Sequence, residues 1–209
     1  MGAPRPLDES ALAEAVDALI AFDRDLAAVV SRLGVPPLWP REPGFPTLLL
    51  LILEQQVSLA SARAAYDKLE STVAEVTPEL LLGLSDSELR RVGFSRQKAR
   101  YGRLLAAAVR DGSLDLESLD LLPDDEAARL LTAQIGIGPW TANTYLLMAL
   151  RRPDVWPDGD IALHAAYRDL RRLPVRPTTA EMVDRAENWR PWRSVAARIL
   201  WHHYLGGGG

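Results

Sequence analysis

Two acidic residues stand directly ahead of a helical stretch late in this sequence: Asp158 and Asp160, in the run Trp156-Pro157-Asp158-Gly159-Asp160-Ile161-Ala162-Leu163. A carboxylate held in one place can stabilise a developing positive charge. Read locally, an aspartate just before a helix is an ordinary N-cap, and the two roles are compatible because a cap fixes the carboxylate's position. Upstream lies Leu131–Leu150, in which an apolar helix runs into Gly136-Ile137-Gly138 and Pro139 opens a second helix. Glycine lets the main chain bend sharply and approach a ligand, and proline suits the first helical turn. The amides of that turn, with the positive end of the helix dipole, suit an anion such as a backbone phosphate. Gly-x-Gly before a helix is equally the mark of a tight helix–helix turn, with Ile137 tucked between the two helices.

Other reactive chemistries have little material here. The chain has no cysteine, which excludes disulfides, thiolate zinc sites and cysteine-ligated iron–sulfur clusters. Its histidines are His164, His202 and His203, too few and too poorly spaced for a metal site. His202–His203 reads as a solvated pair near a helix end.

The elements that must position these groups read as helices almost throughout, with apolar residues at three- and four-residue spacing and no sustained alternation. Helices are expected near 8–22, 24–33, 46–56, 59–70, 78–83, 86–91, 96–109, 124–134, 139–150, 161–171, 179–187 and 192–204. Their starts are marked by Ser85 with Glu88 and by Thr178 with Glu181 as capping boxes, by Thr77 before Pro78, and by Ser95. Prolines at 35–46 and 173–177 mark loops. The whole is expected to be one helical domain over residues 1–205 made of two lobes, the hairpin at about 124–150, with 206–209 a flexible tail.

Apolar residues make up 48% of the 209, ample for a buried core. No apolar run approaches the ~20 residues of a membrane span, and the first residues lack the basic-then-apolar order of a signal peptide. A cytoplasmic location is expected. The net charge of −4 does not suggest a nucleic-acid binder, but its distribution is uneven. Residues 1–89 hold 6 basic and 14 acidic side chains, whereas 90–110 hold seven basic and no acidic ones. That stretch is either a basic patch or a solvated helix face.

Four blocks in order, ILEQQVSLASA (52–62), GFSRQKARY (93–101), IGIGPWTA (135–142) with DVWPDGD (154–160), and WRPWRSVAARILW (189–201), carry a resemblance. The sequence resembles the helix-hairpin-helix superfamily of DNA glycosylases, most nearly the bacterial 3-methyladenine DNA glycosylase II (AlkA) type, over residues ~45–204, most of the chain. The resemblance implies an all-α fold of two lobes with the active-site cleft between them, in a compact form without an added β-rich domain. It implies that Asp160, rather than Asp158, is the catalytic carboxylate. The reaction it implies is hydrolysis of the glycosidic bond of alkylated purines in double-stranded DNA, as in base excision repair. Bifunctional members carry a lysine nucleophile in the hairpin; Trp140 stands at that place, so no Schiff base and no lyase step are expected.

A base reached by an enzyme must first leave the duplex, and a cationic purine stacks on electron-rich rings. The resemblance places Trp140 and Trp201 in the base pocket, with Phe94, Tyr145 and Trp156 as weaker candidates and Thr144 where the family has a second aromatic. Each tryptophan is also a candidate for plain core packing. The turn holding Gln55, Gln56 and Ser58 corresponds to the family's wedge, which fills the space left by the flipped base, and Gln56 is the candidate wedge. Glu54 stands where glycine is common. Gly136, Gly138 and Thr141 belong to the DNA-binding hairpin, and Arg96, Lys98, Arg100 and Arg193 are candidate phosphate contacts. Arg193 with Ser194 could equally anchor the last helix. No metal or organic cofactor is implied, although the hairpin could share a monovalent cation with a DNA phosphate. The expected partner is alkylated duplex DNA, with no membrane, and the expected state is a monomer, nucleoid-associated when on DNA. The alternative is a non-catalytic hairpin protein that binds lesions or DNA structure.

Overall fold

The computed structural model describes residues 4–206; Gly207–Gly209 of the expected tail lie outside the described residues. Twelve α-helices and two short 3-10 turns make up the described secondary structure, with no strand among the described residues. The chain divides into two compact units, one comprising Arg41–Tyr145 and the other Pro4–Pro40 with the residues from Leu146 onward.

The first unit is built around α3 (Phe45–Glu54), which is apolar on every side and buried over most of its length. A helix with no polar face must lie inside. α4 (Leu59–Glu70) and α7 (Arg96–Arg110) pack on it, and α5 (Pro78–Gly83) and α6 (Asp86–Arg91) pack on α7. The expected caps form: Thr77 accepts from Leu80 N–H, Ser85 and Glu88 close a capping box, and Ser95 accepts from Lys98 N–H at 3.2 Å. α8 (Asp124–Thr132) and α9 (Pro139–Met148) form the hairpin. α3 ends two residues earlier than the sequence pattern predicts. Gln55 is extended and Gln56 left-handed at φ +57°, so the Gln-Gln pair is a turn rather than a helix end.

The second unit has the same plan around α12 (Arg193–Leu205), buried from Ser194 to Trp201 and packed by α1 (Glu9–Ile20), α2 (Arg24–Leu33) and α10 (Ile161–Leu170). α11 (Thr179–Ala186) opens with the capping box of Thr178 and Glu181. Within α12, Arg198 is wholly buried, donates to Leu147 O at 2.9 Å, and burial pushes its guanidinium down to about 10. The expected solvated histidine pair is corrected at both positions, and His202 is half-buried with its ring 6.1 Å from that of Trp39. His203 is buried, its Nδ1 accepting from Arg32 at 2.7 Å, which leaves the Nε2 hydrogen to donate to Asp169 at 2.7 Å. Gly206, assigned to the tail, closes α12 by donating to His202 O. No helix is long and apolar enough to cross a membrane among the described residues.

Candidate functional site

Pro157–Asp160 is a tight turn in the second unit. Asp160 N–H donates to Pro157 O at 3.2 Å, and Gly159 takes φ +78° at the third position, where a side chain would be strained. The turn delivers Asp160 to the N-cap of α10, where its Oδ1 accepts from Leu163 N–H at 2.9 Å. The same oxygen accepts from the indole N–H of Trp201 at 3.2 Å. Asp160 is therefore both a cap and a carboxylate held in one orientation, 9% exposed. Its competitor Asp158 is half-buried and makes no cap; burial pushes its carboxyl above the ordinary range while nearby Arg193 pulls the other way. Trp201, a base-pocket candidate, is 8% exposed, and its indole N–H orients the acid.

In the first unit the hairpin turn has a built interior. Gly136 adopts φ +96° with Tyr101 so close that a Cβ there would sit 2.4 Å from the ring. Ile137 is buried between the helices as its position predicts. The α9 ladder begins with Ala142 N–H on Gly138 O at 3.0 Å, so the amides before it are those a helix turns outward to an anion. Trp140 is half-buried at the start of α9, and Thr141 is buried.

The wedge turn touches this hairpin. Gln55 Nε2 donates to Gly136 O at 2.9 Å and to Thr141 Oγ1 at 3.0 Å. Gln56, Val57 and Leu59 are exposed at the tip, and Ser58 caps α4 through Ser61 N–H. A left-handed non-glycine residue such as Gln56 costs about 1–3 kcal/mol and persists only where its surroundings impose it. Glu54, the departure from glycine, is buried and held by both nitrogens of Arg41 at 2.9 and 3.0 Å, so its negative charge is matched.

Several expected contacts are redirected. Lys98 donates to Leu53 O at 2.6 Å, tying α7 to the end of α3, and burial lowers its ammonium below the ordinary range. Arg193 is likewise committed, with Nε on Asp154 Oδ1 at 2.9 Å, Nη2 on Asp154 O at 2.6 Å and Nη1 on Glu187 at 3.0 Å. Ser194 bonds to both polar groups of the Val155 backbone, so this pair anchors the last helix to the loop ahead of Asp160. Truncating Arg193 to alanine leaves Asp154 with only Arg190 and the backbone N–H of position 193, and is expected to lower stability by about 1–2 kcal/mol. The check is thermal unfolding beside duplex binding, whose salt dependence should not change. Arg96 and Arg100 do remain exposed on one face of α7, sharing a groove with Arg90 and Arg103 above Phe94 and Ala99.

Three pocket candidates are core residues. Phe94 is 3% exposed beneath α7. Tyr145 is fully buried, accepts from Gly44 N–H at 2.8 Å, and burial pushes its hydroxyl up to about 12. Trp156 is buried against Trp189, their rings 5.6 Å apart. Thr144 is also buried, its hydroxyl without a hydrogen-bond partner among the described residues, so it opens no pocket to solvent.

An all-helical chain with this hairpin and an aspartate capping the helix after it belongs to the HhH-GPD superfamily of base excision DNA repair proteins, whose family model matches residues 49–192. The chain is 31% identical over 165 residues to DNA-3-methyladenine glycosylase 1 of Schizosaccharomyces pombe, covering 77% of this chain and 72% of that protein. It is 28% identical over 162 residues to the DNA-3-methyladenine glycosylase homologue YfjP of Bacillus subtilis, covering 74% of this chain but only 56% of that longer protein. The solved structure of the Schizosaccharomyces pombe 3-methyladenine DNA glycosylase Mag1 in complex with abasic DNA superposes with a TM-score of 0.88 at 27% identity. That match covers 94% of this chain and 98% of the other.

Proposed function

We propose that this chain is a monofunctional DNA glycosylase that hydrolyses the N-glycosidic bond of alkylated purines in double-stranded DNA, as a monomer on the nucleoid in the cytoplasm. The observation that carries this is the doubly held carboxylate of Asp160. Methylation at N3 or N7 gives the purine a positive charge. When the bond to C1′ breaks, its electron pair returns to the base, which leaves neutral and needs no strong acid. The positive charge passes to the sugar, and a fixed carboxylate stabilises it without reorganising at that moment. Water adds to C1′ and its proton passes to the carboxylate and then to solvent, leaving an abasic site. This parallels the cationic transition state of glycoside hydrolysis with one acid instead of two.

Trp140 supports the absence of a lyase step, because an indole cannot form a Schiff base. The hairpin amides grip the DNA backbone, where a monovalent cation could be shared with the phosphate, and Arg96 and Arg100 add long-range attraction. Names of the relatives support the substrate class. The test is incubation with methylated duplex DNA and chromatography of the supernatant. Free 3-methyladenine and 7-methylguanine are expected, with strand breaks appearing only after alkali. Lesion binding with no released base would instead identify a non-catalytic hairpin protein.

A further inference from the structure

We propose that Gln55 is a positioning residue that couples the wedge turn to the phosphate-gripping hairpin, so that the tip enters the duplex in register with the anchored backbone. The inference rests on the glycosylase reading and adds to it a residue that touches neither base nor sugar. Both hydrogens of its Nε2 are engaged, one on Gly136 O in the hairpin turn and one on Thr141 Oγ1 in the first turn of α9. Those acceptors lie 81 and 86 residues away in sequence, and one side chain reaches both. The next residue is the left-handed, exposed Gln56.

The turn is held from other sides too. Lys98 holds Leu53 O, and Arg41 holds Glu54. A surface turn that served only to join two helices would take glycine at φ +57° and would need none of these ties. Here a polar tip flanked by exposed Val57 (45%) and Leu59 (60%) is set in one place relative to the hairpin amides. Small errors in such placement are costly: a misplacement of about 1 Å can slow a reaction about a hundredfold.

The discriminating experiment is a double-mutant cycle of Gln55→Leu with Gln56→Ala, read by single-turnover base release under conditions where every variant is folded. Each single variant is expected to lose about tenfold or more in rate, and the double variant to be scarcely slower than the worse single one, because both act through the tip. Losses that multiply would overturn the coupling. A second arm needs no turnover: 2-aminopurine placed opposite an abasic site reports stacking by the tip through quenching. Gln55→Leu is expected to lose that quenching as Gln56→Ala does, with duplex affinity retained. Quenching intact in Gln55→Leu would sink the proposal even if the melting temperature fell. Thr141→Val keeps the Gly136 acceptor and removes the other, and is expected to show the same coupling at intermediate size; it serves if Gln55→Leu does not fold. A wild-type protein that releases no base would overturn the glycosylase reading, whereas the fluorescence arm judges Gln55 separately.

Discussion

Asp160→Asn is expected to abolish base release while leaving folding and lesion binding intact. Asparagine is as good an N-cap as aspartate, so the bond from Leu163 N–H survives. Its amide oxygen can still accept from the Trp201 indole, which preserves the local geometry. What disappears is the negative charge that the proposed mechanism sets against the developing oxocarbenium. Preorganised electrostatic groups of this kind are worth about 10²–10³-fold or more in rate, and here no second acid shares the task. The measurement is single-turnover release of 7-methylguanine beside a binding titration on the same duplex. Turnover within tenfold of wild type would mean that Asp160 is a cap and nothing more. Loss of both release and fold would be uninformative for alanine, which removes the cap as well, but the asparagine variant separates the two roles.

The second large effect is expected at Gly136, and it distinguishes two glycines that look alike in sequence. Gly136→Ala would set a Cβ 2.4 Å from Tyr101 Cγ, at a φ of +96° that alanine avoids. Strain and overpacking together should cost about 2–4 kcal/mol, which for a chain of this size lowers the melting temperature by about 5–15 °C. DNA affinity should fall with it, because the hairpin amides move. Adding Tyr101→Ala removes the ring and should return part of the loss. Gly138→Ala meets nothing within 4 Å and is expected to leave stability nearly unchanged, while on the proposed hairpin–phosphate contact the added methyl would weaken DNA binding. Calorimetry of the two variants side by side checks this. Equal destabilisation would refute the assignment of Gly136 to packing and Gly138 to ligand approach.

Much of the helical framework was legible because its signals act over a few residues. The Ser85 and Thr178 capping boxes and the prolines at 78 and 139 are each complete within one turn, and those helices start where the pattern puts them. α3 ends earlier than predicted because Gln55 leaves the helix for a bond to the hairpin, which no local pattern contains. The basic segment stayed open between patch and solvated face for the same reason. Lys98 and Arg100 are alike in a charge count, yet one is tied to Leu53 O and the other is exposed.

From its sequence alone, then, this protein is an all-helical chain with a Gly-Ile-Gly-Pro hairpin and an aspartate ahead of the following helix. Composition and spacing suffice for those points because each depends on residue type at a given place, whereas Trp140 at the position of a lysine nucleophile is read only through the family resemblance. Only the tertiary structure decided which groups are free to act. Trp201 reaches Asp160 across 41 residues and turns a cap into an oriented carboxylate. Arg193 and Lys98 are committed to partners within the protein, and Tyr145, Phe94 and Trp156 are buried core rings. The physical reason is that a side chain's task depends on what it meets. A buried polar group must find its partner wherever the chain brings one, and that partner is set by packing rather than by its neighbours in sequence.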